Sequence, residues 1–378
     1  MNTNYLNVKA AAVASVALLG AFSAQAGESA KSTKAPIAPA VEETPLCEKI
    51  FKATTFKFDN DIVNEFKIIG RYQGQYHWVD ANQGNEDSYE TRRWRIGAQA
   101  KMFNKKLKIK NNWNIDGLDD DGDDVAFDSI DEAVASLKVT DGFTLSAGKQ
   151  KPEITREYSI SSKKILTIER SAIVNQLTPE KAWGVHGEFG ADKVTIHGGV
   201  YASQFEGEYD EWFDTDGGAF FLGSIGYELG EKQDIRLDYT YTDQSGNAAP
   251  GAENVVSLSY DGQYGDFRLI ADVIGGFGGG TDVTGVVLLP SYKVTDKLEA
   301  VGRLQYSDGD VVIQKRYERR VADKAAEDYF AAYAGLNYYV CSHNLKFMAG
   351  VEYANATGHG SDTGFDGFTY LVGARLYF

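Results

Sequence analysis

The chain has 378 residues, with 38 Lys and Arg against 54 Asp and Glu, a formal net charge of −16. That balance excludes nucleic acid as a partner, because phosphate binding needs a basic surface. A mean hydropathy of −0.34 excludes a bundle of apolar membrane helices. Strands escape a hydropathy scan, because faces of opposite polarity alternate and cancel.

Lys9 precedes an apolar run from Ala10 to Phe22, and Ala24, Gln25 and Ala26 form an A-x-A cleavage pattern before Gly27. Residues 1–26 therefore read as a secretory signal peptide, the run being shorter than the roughly 20 residues a membrane helix needs. Residues 27–53, rich in Ala, Pro, Lys and Glu without periodicity, read as a periplasmic lead-in. An exported chain with two cysteines, Cys47 and Cys341, holds either one disulfide or two free thiols.

Residues 54–378 read as strands. In FKIIGRYQGQYHW, Phe66, Ile68, Tyr72, Tyr76 and Trp78 fall on one face, and Lys67, Arg71, Gln73, Gln75 and His77 on the other. A loop, ANQGNEDSYE, is expected next. RRWRIGAQAKMF then turns Trp94, Ile96 and Met102 outward and Arg93, Arg95 and Lys101 inward. KLKIKNNWNIDG sets Leu107, Ile109 and Trp113 against Lys106, Lys108 and Lys110. Repeating this reading to the last residue predicts about 16 strands, an even number as in bacterial single-chain barrels. Short turns are expected at Asn104, Asp141, Gly190, Glu231, Gly265, Thr295 and Ser342, with longer connections between them, the stretch from Asp308 to Asp328 among these. Short turns at the periplasmic rim and long loops outside are the barrel arrangement.

Two connections differ from the others. Leu118–Asp124 is an acidic run; the EF-hand grammar of a final Glu between two helices is missing, so it reads as a solvated external loop with at most weak divalent-cation binding. The segment from Ile154 to Thr178 carries Ile160, Ile165, Leu166, Ile168, Ile173, Val174 and Leu177. A loop of this length and apolar content should fold back into the barrel lumen.

The end is also informative. In GFTYLVGARLYF, Phe368, Tyr370, Val372, Ala374, Leu376 and Phe378 alternate with other residues up to the terminus. Free termini normally fray. A strand ordered to its last residue is what closing a membrane barrel against its first strand demands. The fold class is therefore all-β, a transmembrane antiparallel barrel in the outer membrane of a Gram-negative-type bacterium, with lipid as its solvent. The five histidines are dispersed, and no HExxH, GxSxG or P-loop pattern occurs, so no metal, cofactor or catalytic site is expected.

The segment GKQKPEITREYSISSKKILTIERSAIVNQLTPEKAWGVHG resembles the phosphate-selective porin O and P family. Matching positions are Gly148, Lys151, Pro152, Glu157, Ser161, Ser162, Glu169, Arg170, Gly184 and Val185. The first two strands and several late ones also resemble the family. The resemblance implies a homotrimeric porin of about 16 strands whose third external loop narrows a channel for small hydrophilic solutes or anions. Pore candidates are Arg93, Arg95, Lys101, Lys106, Lys108 and Lys110 on strands, with Arg156, Lys163, Lys164, Glu169 and Arg170 on the loop. Basic rings select anions. The plainer reading is a general or cation-preferring porin whose lumen is charged with both signs, and a barrel enzyme is a more distant alternative.

Overall fold

A computed structural model describes residues 46–116, 126–204, 217–280 and 282–378. The expected signal peptide, most of the lead-in and the acidic run at Asp119–Asp124 lie outside the described residues. A short helix, α1 (Leu46–Lys52), leads into β1 (Thr55–Lys57). The first half of the barrel comprises β2 (Val63–Ala81), β3 (Gly84–Met102), β4 (Leu107–Asp116), β5 (Ala126–Lys138), β6 (Phe143–Gln150), β7 (Ala182–Ala191), β8 (Val194–Ala202) and β9 (Ala219–Gly230). The second comprises β10 (Gln233–Thr242), β11 (Asn254–Tyr264), β12 (Phe267–Phe277), β13 (Val283–Thr295), β14 (Leu298–Ile313), β15 (Ala325–Tyr339), β16 (Leu345–Gly358) and β17 (Phe365–Tyr377).

Each strand from β2 to β17 pairs antiparallel with its sequence neighbours, and β17 pairs with β2, so 16 strands form a closed ring. Closure leaves no strand edge in lipid, which is the condition for crossing a bilayer with strands. The alternation is plain on β10. Ile235, Leu237, Tyr239 and Tyr241 are exposed, while Arg236, Asp238, Thr240 and Thr242 between them are buried. The exposed face is apolar and the buried polar face looks into the barrel.

The seam is secured to the last residue. Phe378 and Gly70 exchange two backbone hydrogen bonds, each 3.1 Å. The tip of the Phe378 ring fills the space a Cβ on Gly70 would need, so a side chain there would displace the ring. Where β17 ends, β1 takes over the same edge of β2, pairing Thr55 with Lys67 and Lys57 with Glu65. The last strand is thus prolonged by a piece of the chain's other end. A disulfide between Cys47 on α1 and Cys341 in the β15–β16 turn, Cα–Cα 5.5 Å, anchors that piece.

Two expectations about connections need correction. ANQGNEDSYE is not a loop: β2 and β3 are each 19 residues long and turn at Asn82 and Gln83. Its polar residues alternate in strand register, pairing Val79 with Glu86 and His77 with Ser88. Second, the stretch from Asp308 to Asp328 is not simply an external loop. Strand β14 continues to Ile313, and the following turn buries Tyr317 and Glu318 at 1% and 0% exposure.

Candidate functional site

The chain between β6 and β7 enters the lumen and contains two short helices, α2 (Arg156–Ser159) and α3 (Ala172–Leu177). Its first anchor is a cluster on the inner wall. Backbone N–H groups of Thr155, Arg156 and Glu157 donate to Asp238 (2.9 Å) and to the two oxygens of Asp272 (2.7 and 2.9 Å). Arg236 donates to the Thr155 carbonyl at 2.7 Å. These bonds hold Thr155, a β-branched residue, at a φ of 53°, where it caps α2.

The second half of the loop is held by side chains of β14–β17. Arg303 donates to the Glu169 carbonyl (2.6 Å), Asn337 to that of Leu166 (2.8 Å), Lys346 to that of Ile165 (2.5 Å) and Arg375 to that of Ile168 (3.1 Å). Beneath these polar ties lies an apolar contact. Ile154, Ile168, Ile173, Val174 and Leu177 are fully buried and join wall residues such as Val255, Ile274, Val283 and Val287 in one cluster. Gly276 and Gly285 supply the flat wall on which Leu177 and Ile173 rest. Each such buried aliphatic side chain stabilises the loop's position by about 1.5–3 kcal/mol.

The loop therefore fills the lumen against β10–β17 and leaves an open lane beside β2–β6. This lane is a polar cavity of about 560 Å³, lined by ten Lys and Arg side chains and only four carboxylates. Two of the carboxylates are tied up. Asp131 pairs with Arg95 (2.8 Å) and Lys181 (2.6 Å), and Glu132 with Lys110 and Lys181. Among the described residues, Arg71, Arg93, Lys108 and Lys163 line the lane without a carboxylate in ion-pair contact. Arg93 donates to Gln73 at 2.9 Å, Arg71 to the Ser162 hydroxyl, and the Lys163 ammonium lies 5.0 Å from the Tyr377 ring centre. Burial, reinforced by the Arg71 and Lys110 charges, pushes the Lys163 ammonium down to about 7.

Of the sequence-predicted residues, Arg93, Arg95, Lys108, Lys110, Lys163 and Arg170 line the lane together. Five are placed elsewhere. Lys101 pairs with Glu65 at 2.8 Å, and Lys106 is exposed in the β3–β4 turn. Lys164 is exposed and outside the lining. Arg156 turns to Asp234 and Asp261 on the opposite wall. Glu169 is buried beneath Arg92 (2.7 Å) and Arg316 (3.1 Å). Burial alone would raise its carboxyl, but Arg92 and Arg93 draw it down to about 2.

The lane also takes Arg71, Lys149, Lys151 and Lys181, which the strand pattern did not single out as pore residues. Arg92 escaped for a specific reason. Between Gln73 and Gly74 the β2–β3 register shifts, so that Gln73 faces Arg93 while Gly74 faces Thr91. Arg92 is the extra residue of this bulge, and its side chain turns inward beside that of Arg93. Strict alternation would have sent it to lipid.

Residues 66–248 match the family model of phosphate-selective porin O and P. The protein is an outer-membrane porin. Solved porins share its barrel at low sequence identity. An anion-selective porin from Comamonas acidovorans aligns with a TM-score of 0.57 at 12% identity, over 83% of this chain and 99% of its own. OprB of Pseudomonas putida gives 0.59 at 10% identity, over 83% and 94%. The outer-membrane channel DcaP of Acinetobacter baumannii gives 0.54 at 12%, over 85% and 99%. At such identities the likeness speaks for the fold. No curated protein matches the sequence.

Proposed function

We propose that this porin passes small hydrophilic anions, phosphate among them, by passive diffusion through the basic lane. The observation that carries this reading is the ten-to-four excess of basic over acidic side chains in the lane of a chain whose net charge is −16. An anion entering a narrow pore sheds water, and fixed positive charge replaces that hydration. Arg71, Arg93, Lys108 and Lys163, with no carboxylate in ion-pair contact among the described residues, are placed to do so. The seating of the loop on an apolar wall, with its polar ties, keeps them in a fixed arrangement.

The mature protein in this reading begins after a signal peptide at residues 1–26 and assembles as a homotrimer. The low wall formed by β6–β8, 8 to 10 residues per strand, supports assembly there. On the outer face of β7, β8 and the adjoining β9, Gly187, Gly198 and Gly223 align across adjacent strands and leave a flat surface. Planar-bilayer recordings of the purified protein in a chloride gradient and a phosphate gradient test the selectivity. A reversal potential on the cation side in both would reject it.

A further inference from the structure

We infer that Arg316, which does not line the lane, is a specificity-determining positioning residue: it cancels two carboxylates at the lane's edge so that Arg93 stays available to an anion. The inference rests on the anion reading above.

The relevant group is built around Gln75 on β2. Its amide donates to Glu90 on β3 (2.6 Å) and to Glu169 on the constriction loop (2.9 Å). Two carboxylates thus converge on one amide. Arg92 pairs with Glu169 at 2.7 Å, and Arg316 pairs with Glu90 and, at 3.1 Å, with Glu169. Two negative and two positive charges balance. Gln73, the next inward residue on β2, accepts a hydrogen bond from Arg93 at 2.9 Å. Successive inward residues of a strand stand about 7 Å apart. The four-charge group therefore sits one step from Arg93, and Arg170, the neighbour of Glu169, lines the lane itself.

Removing Arg316 leaves that group with a net negative charge within reach of Arg93. The Arg93 guanidinium would then be recruited by Glu90 or Glu169 and lost to the solute. Arg316 is held for this task by its own loop. Lys315 and Tyr317 on either side of it both donate to Glu352, and Glu352 pairs with Arg303 at 2.6 Å. Arg303 in turn donates to the Glu169 carbonyl. The turn after β14 and the constriction loop are thereby fastened to one buried carboxylate–guanidinium pair, which fixes Arg316 over Glu169.

The test is the reversal potential of single channels in a potassium chloride gradient, read as a shift from the wild-type porin. One unit charge uncovered about 6 Å from an ion in a water-like dielectric lowers the anion-to-cation permeability ratio roughly three- to tenfold. Arg316→Gln should show that fall, Arg316→Lys should retain most of the wild-type ratio, and Arg316→Gln with Glu90→Gln should restore it. A purely structural role for Arg316 would not be rescued by removing a carboxylate. An unchanged ratio in Arg316→Gln, or no recovery in the double variant, overturns the inference. If Arg316→Gln fails to assemble, Glu90→Gln alone decides: it should raise the ratio by freeing a positive charge, and no rise overturns the inference. A wild-type channel that prefers cations would reject the anion reading, whereas the shifts between variants judge Arg316 separately.

Discussion

Arg93→Glu is the most direct perturbation of the lane. Arg93 lines it, donates to Gln73 at 2.9 Å and has no carboxylate in ion-pair contact among the described residues. The substitution changes the local charge by two units. For an ion about 5 Å away in a water-like dielectric, that is about 1.7 kcal/mol, and screening at 0.1 M salt reduces it to about 1 kcal/mol. The anion-to-cation permeability ratio should therefore fall at least about fivefold. Bilayer recordings in a salt gradient read this directly, with single-channel conductance as the check that the pore is intact. Lys106→Glu makes the same charge change in the exposed β3–β4 turn. It should move the reversal potential little, because it acts through screened solvent. Equal shifts in the two variants, or none in Arg93→Glu with normal conductance, would refute the assignment of the lane as the selectivity element.

Other consequences are equally open to measurement. Because Lys163 titrates near 7, its charge is present below that pH and lost above it; anion preference should weaken between about pH 6 and 8, and Lys163→Arg should remove this dependence in recordings across the range. Glu318, buried in the turn after β14, is pushed up to about 7 by burial, with Lys315 only partly offsetting it. Its folded-state value lies above the unfolded one, so the stability that Glu318 itself contributes is full below about pH 4.5 and is lost as pH rises through 7, which should appear as noisier open-channel current at alkaline pH. Gly276→Val would push Leu177 off the wall and shift α3, giving altered conductance without loss of the barrel's circular dichroism. The Cys47–Cys341 bridge closes a separation of 294 residues, for which the chain-entropy account gives about 6 kcal/mol; Cys47→Ser should lower the temperature at which the folded band is lost on gel electrophoresis.

Barrel architecture was legible because a strand's side chains have a period of two and lipid enforces it on one face. Arg93, Arg95, Lys108 and Lys110 could be assigned inward from that alternation alone. The inward course of the Ile154–Thr178 segment was also legible, since so many Ile, Leu and Val residues cannot rest in water. Where the chain leaves strict alternation, the reading failed. Arg92 turns inward only because a bulge inserts an extra residue, and a bulge depends on how two strands pair rather than on either sequence. ANQGNEDSYE looked like a loop because its residues are polar, yet a strand rising beyond lipid has no need of an apolar face.

The sequence by itself determined the polarity of each wall and the closure of the last strand on the first. Periodicity and a terminal aromatic are local properties that a bilayer converts into one permitted structure. Which of the many inward charges remain free for a solute was decided only by tertiary structure. Lys163 and Lys164 are adjacent in the chain, but only Lys163 lines the lane. Glu169 and Arg170 are adjacent too, yet Glu169 is cancelled by Arg92 and Arg316, which arrive from β3 and from the turn after β14. Charge pairing acts over a few ångströms in space, and residues 77 and 147 positions apart meet there only once the barrel has closed around its loop.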